Sequence, residues 1–82
     1  MAGRIRVLYF AQARDEVGRG TETIGLSAST VDGLMDELVL VHPGLKKVRG
    51  TLRLALNQEL VNGDAPVNDG DELALLPPVA GG

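Results

Sequence analysis

One segment of this 82-residue chain has the apolar spacing of a long helix. Val31, Leu34, Met35 and Leu38, followed by Val41 or His42, fall at i, i+3, i+4, i+7 and beyond, which is a single stripe. Ser29 or Thr30 is placed to cap the first turn, and Asp32 stands where the helix dipole favours an acid. Pro43 stops the segment, because the residue before a proline is pushed out of the α region. A helix with one stripe must bury that stripe against another layer, and the remaining runs are strands.

Arg4 to Phe10 alternates. Ile5, Val7 and Tyr9 share one face; Arg4, Arg6, Leu8 and Phe10 share the other, which begins charged and ends apolar. Ala11 to Gly18 reads as a loop or a short turn of helix, and Thr21 to Leu26 as a second strand weakened by Gly25. After the helix, Leu45 to Gly50 is a basic connector without a definite period. Thr51 to Asn57 alternates again, with Leu52, Leu54 and Leu56 facing in and Arg53 and Asn57 out. Asn57-Gln58-Glu59 is a turn, Leu60-Val61 a short strand, and Asn62-Gly63 and Asn68-Asp69-Gly70-Asp71 are further turns. Glu72 to Leu76 is the last strand. The order β, β, α, β, short β, β predicts an α+β domain, a mixed sheet packed on one main helix. It is similar to the ubiquitin-like β-grasp. That resemblance implies that the first and last strands are central neighbours. Leu8 and Phe10 then lie beside Ala74 and Leu76 on the face away from the helix. Residues 1–76 form the domain, and residues 77–82 an extended C-terminal tail.

Composition narrows the function. There is no cysteine, so disulfides, thiolate ligands and cysteine nucleophiles are absent. A net charge of −3 argues against nucleic acid. No run approaches the ~18 apolar residues of a membrane span, and no secretory segment opens the chain, so a cytoplasmic protein is expected. His42 is the one histidine and reads as a surface residue at the helix end. Asp64, Asp69, Asp71 and Glu72 lack calcium-loop spacing, so no metal is expected. Lys46, Lys47 and Arg49 read as a solvated basic cluster, and Arg14 as a surface ion pair with Asp15 or Glu16.

The tail is the remaining candidate. Leu75-Leu76-Pro77-Pro78-Val79-Ala80 is apolar throughout, whereas a disordered tail is normally polar. Prolines prevent further strand pairing, and Gly81-Gly82 have no Cβ to block passage through a narrow gap. The Gly82 α-carboxylate is the one group left to do chemistry.

The chain resembles the small, sulfur-carrying subunit of molybdopterin synthase, over essentially its whole length. The resemblance rests on Val7-Leu8-Tyr9-Phe10-Ala11-Gln12-Ala13-Arg14, on Asn57-Gln58-Glu59-Leu60-Val61 and, most specifically, on Asp69 to Gly82. Leu75-Leu76 departs from the aromatic residues common there but keeps the apolar role. The resemblance implies that a ubiquitin-activating-type adenylyltransferase, using ATP, adenylates Gly82, and that sulfur transfer makes a thiocarboxylate. The tail then enters the large synthase subunit, where two carriers of a heterotetramer supply the two sulfurs of molybdopterin to a cyclic pyranopterin precursor. It implies no cofactor on this chain and no active site of its own. Gly82 holds the sulfur, with Gly81, Ala80 and Val79 threading behind it. Phe10, Leu60 and Leu76, with Leu8 and Val79, anchor the large subunit, and Arg14 meets the activating enzyme or the synthase. Six extended residues from Pro77 span roughly 20 Å, enough for a buried site.

Rival readings share the same carboxylate: a sulfur carrier for thiamine, cysteine or tRNA thiolation, or a protein modifier forming isopeptide bonds through Gly82. A different class is a plain interaction module with an inert tail.

Overall fold

Alternation decides the first element. In the computed structural model, which describes residues 3–78, strand β1 (Gly3–Tyr9) buries Ile5, Val7 and Tyr9 and leaves Arg4 and Arg6 exposed. Expectations for Val79, Ala80, Gly81 and Gly82 lie outside the described residues. The chain then turns through helix α1 (Ala11–Val17), more regular than the loop or helical turn expected. Its one buried residue is Ala13. It ends at Gly18, whose φ of 85° and N–H donated to the Arg14 carbonyl at 2.7 Å form a left-handed cap. Strand β2 (Thr21–Leu26) runs back antiparallel to β1, with Gly3 opposite Leu26 and Leu8 opposite Thr21.

Helix α2 (Val31–Val41) follows. The Thr30 hydroxyl accepts from the Gly33 N–H at 3.2 Å, so Thr30 rather than Ser29 is the cap. Two further N–H groups of the first turn, on Val31 and Asp32, donate to the carbonyls of Ala65 and Gly63 at 2.9 and 2.8 Å. Val31, Leu34, Met35 and Leu38 are buried as one stripe. Val41 points outward; the stripe continues instead through His42 and the buried Leu45. The basic connector becomes two 3-10 turns, Pro43–Lys47 and Arg49–Thr51. Two of its three cations are partnered: Lys47 lies 3.3 Å from Glu16, and Arg49 is 2.6 Å from Asp36, while Lys46 is exposed.

Strands β3 (Arg53–Leu56) and β4 (Glu59–Leu60) form a hairpin around Asn57 and Gln58, both at positive φ, 52° and 70°. Two left-handed residues in a two-residue loop match the right-handed twist of the flanking strands. Strand β5 (Glu72–Leu76) lies in the middle of the sheet, parallel to β1 and antiparallel to β3. The strand order β2-β1-β5-β3-β4, wrapped over α2, is the ubiquitin-like β-grasp. The core is aliphatic apart from Tyr9 and lies between the sheet and α2, with Leu34, Leu38, Leu45, Leu73 and Leu75 fully buried. Each such leucine contributes about 1.5–3 kcal/mol by leaving water.

Candidate functional site

Register puts a second apolar surface on the opposite face of the sheet. Ile5, Val7, Tyr9, Leu73 and Leu75 point to the helix, so their chain neighbours point away. On that outer face Leu8 stands opposite Ala74, Ala74 opposite Ala55, and Ala55 opposite Leu60. The Phe10 N–H donates to the Leu75 carbonyl at 3.2 Å, which brings Phe10 level with Leu76; Leu76 itself faces Arg53 across β3. Ala55 is 6% exposed yet packs outside the helix-side cluster. It is covered by its outer-face neighbours. The result is a shallow dish: alanines at the centre, and Leu8, Phe10, Leu60 and Leu76 around them. Phe10 and Leu60 remain 44% and 55% exposed. Beside Leu60 an open groove of about 430 Å³ is lined by Leu52, Arg53, Leu54 and Val61.

The structure therefore brings Leu8, Phe10, Leu60 and Leu76 onto one face. Arg14 is exposed on α1, four residues past Phe10. It makes no ion pair among the described residues, and Glu16, offered by the sequence as a partner, pairs with Lys47 instead. Sequence reasoning placed Arg53 outward without giving it a role; the register seats it beside Leu76. From Leu76 the chain passes to Pro77 and Pro78, both exposed. The acidic turn is structural. Asp69 accepts from the Arg4 N–H at 2.8 Å, and Asp71 accepts from the Asn68 N–H at 2.8 Å and the Asn57 amide at 3.0 Å.

A polar cluster went unread in the sequence. The Tyr9 hydroxyl donates to Glu22 Oε1 at 2.6 Å, His42 Nε2 lies 2.5 Å from the same oxygen, and Arg19 donates to Oε2 at 3.3 Å. The Tyr9 and His42 rings meet edge to face at 5.9 Å. His42 is thus a part-buried latch, not a free surface residue. Burial, then the bond to Glu22, pushes the Tyr9 hydroxyl well above its ordinary range. Burial pushes the Glu22 carboxyl up, but the hydrogen bonds from Tyr9 and His42 more than offset this and hold it below its usual value. Tyr9, Glu22 and His42 come from β1, β2 and the end of α2, so no local period links them.

The ThiS family model matches residues 7–82. The chain belongs to the ThiS family. It also belongs with the molybdopterin synthase sulfur carrier subunits: that of Arabidopsis thaliana is 46% identical over 79 residues, covering 95% of this chain and 82% of the relative. Among solved structures, small archaeal modifier protein 1 of Haloferax volcanii is similar with a TM-score of 0.83 and 28% identity, covering 94% of this chain and 99% of that one. A complex of subunits 1 and 2 of molybdopterin-converting factor from Helicobacter pylori contains a chain with a TM-score of 0.67 and 31% identity, covering 96% of this chain and 99% of that one. The ThiS-family match extends through Gly81 and Gly82 and includes every residue of the outer dish.

Proposed function

We propose that the chain is a sulfur carrier of molybdenum cofactor biosynthesis, with the Gly82 carboxylate as its working group. The observation that carries this is the near-full-length similarity to molybdopterin synthase sulfur carrier subunits, on a body whose central strand β5 runs directly into the Pro77-Pro78 tail. A carboxylate is a poor electrophile. An adenylyltransferase of the ubiquitin-activating type converts it with ATP to an acyl-adenylate, releasing pyrophosphate; a sulfur donor then displaces AMP and leaves a thiocarboxylate. Gly81, Ala80 and Val79 thread that group into the large synthase subunit, where the sulfur passes to a cyclic pyranopterin precursor and water replaces it on the Gly82 carbonyl carbon, restoring the carboxylate. Leu8, Phe10, Leu60 and Leu76 anchor the body on the large subunit, and Arg14 contacts the synthase or the activating enzyme. This chain contributes no catalytic acid or base and holds no cofactor. The cytoplasm, where ATP and the sulfur donor are available, is its place of work. The likeness of the Helicobacter pylori subunit 1 and 2 complex supports a large-subunit partner.

The likeness to an archaeal modifier favours a second reading, an isopeptide bond from Gly82 to protein lysines. Intact mass of the chain from its native cell separates the two. The carrier reading expects a fraction heavier by one sulfur-for-oxygen exchange, lost on deleting Gly82 together with molybdoenzyme activity. Free carboxylate alone under sulfur-replete growth overturns it, and lysine conjugates establish the modifier reading.

A further inference from the structure

The outer edge of β2 is open. Tyr9 donates to the Gly20 carbonyl at 2.9 Å, while Arg6 and Phe10 donate towards β5. This sets the phase of the β1–β2 ladder. Glu22, Ile24 and Leu26 turn their backbone groups to β1, and Thr21, Thr23 and Gly25 turn theirs outward. Among the described residues no strand lies on that side, since β2 ends the sheet. All three outward residues are exposed, and the strand has none of the prolines, lysines or bulges that usually guard an edge.

Helix α2 runs alongside. Ser27, just after β2, hydrogen-bonds Glu37, and Glu22 near the start of β2 holds His42. The end of α2 thus lies along the strand. Leu40 and Val41, one turn on from Glu37, share its side of the helix and are 82% and 61% exposed. They belong neither to the core nor to the outer dish.

We infer that β2 pairs antiparallel with β2 of a second copy of this chain, about a twofold axis at Thr23. Self-pairing is favoured by the edge itself. With Thr23 opposite its own mate, Thr21 of one copy faces Gly25 of the other, and all outward groups of the three residues are used in six hydrogen bonds. Shifting the centre to Glu22 or Ile24 leaves four. In the Thr23 register Arg19 of one copy comes opposite Ser27 of the other, beside the Glu37 that Ser27 binds, so charges of opposite sign meet at both ends. An axis perpendicular to the sheet puts both α2 helices on the same side, turning Leu40 and Val41 of the two copies towards each other. The outer dish, on the other side of the sheet centre and next to Pro77, is not used by this pairing, so each copy still reaches its own enzyme.

Sedimentation of the full chain over a concentration series tests this, with amide exchange read at Thr21, Thr23 and Gly25. The expected result is a concentration-dependent dimer in which these amides slow together. Thr23→Pro removes an outward N–H that β1 does not use and weakens dimerisation about tenfold or more. Leu40→Glu with Val41→Glu, both exposed and outside the Glu22 cluster, does the same if the proline variant fails to fold. A chain that stays monomeric near millimolar concentration overturns the proposal. So does a dimer unaffected by a folded Thr23→Pro, or by the Leu40→Glu, Val41→Glu pair. Protection of the β2 amides that appears only on adding the large subunit would instead assign the edge to a partner strand, and the self-pairing is then wrong.

Discussion

Glu22 is the residue on which three elements converge. One carboxylate takes hydrogen bonds from Tyr9 on β1, from His42 at the end of α2 and from Arg19 beside β2. It fastens the helix end to the sheet where Pro43 has already stopped the helix. Glu22→Gln keeps the shape and loses the charge, so it should cost about 1–2 kcal/mol at neutral pH, measured by urea unfolding. The pH dependence has a definite sign. The folded carboxyl titrates below the unfolded value of about 4.3, so its contribution is present above that pH and disappears as pH falls through the folded value. The stability gap between wild type and Glu22→Gln should therefore close on acidification. A gap that stays constant from pH 7 down to about 3 would assign the cost to packing rather than charge.

At the scale of elements, the strands and α2 were legible because their side chains repeat at 2 or 3.6 residues and each buries one face. The outer dish was legible for the same reason: once Ile5, Val7 and Tyr9 point inward, Leu8 and Phe10 have to point out. What escaped depends on contacts far apart in sequence. Helix α1 has one buried residue, Ala13, and too little stripe to announce itself. The Glu22 cluster joins residues 13 and 20 positions apart. The β3–β4 turn was seen as a turn, but not as one that holds Gln58 at φ 70°. Asn57 has a reason to be there, since it accepts from the Glu72 N–H and donates to Asp71, tying the hairpin to β5. Gln58 has no such bond among the described residues, and its left-handed backbone is strained for a residue with a long side chain. Gln58→Gly should remove that strain and complete an Asn-Gly hairpin turn. The expected gain is about 0.5–1 kcal/mol, or a few degrees in Tm for a chain of this length. An unchanged or lower Tm would show that Gln58 is held by something other than its own backbone.

For the whole molecule, the proposed function divides the two faces of the sheet between two tasks. The inner face packs on α2 and supplies the stability, while the outer face leaves Phe10 and Leu60 in water and spends apolar surface that folding does not need. Stability and partner binding should then separate by mutation. Leu38 is fully buried, so Leu38→Ala should cost about 2–5 kcal/mol, a large share of the total for a domain this small. Its residual folded fraction should still bind the large synthase subunit with normal affinity. Leu76→Asp lies at the rim of the dish, opposite Arg53 and one residue before Pro77. It should change unfolding free energy by no more than about 1 kcal/mol, because the residue is only half-buried and an exposed carboxylate stays hydrated beside the Arg53 cation. Placed against an apolar partner surface, the same carboxylate is desolvated, and binding should be lost. Denaturant melts and calorimetric titration of both variants make the comparison. If Leu76→Asp binds normally, the outer face is not the docking surface. If it unfolds the chain, the two faces are not independent, and the helix side cannot be treated as the sole source of stability.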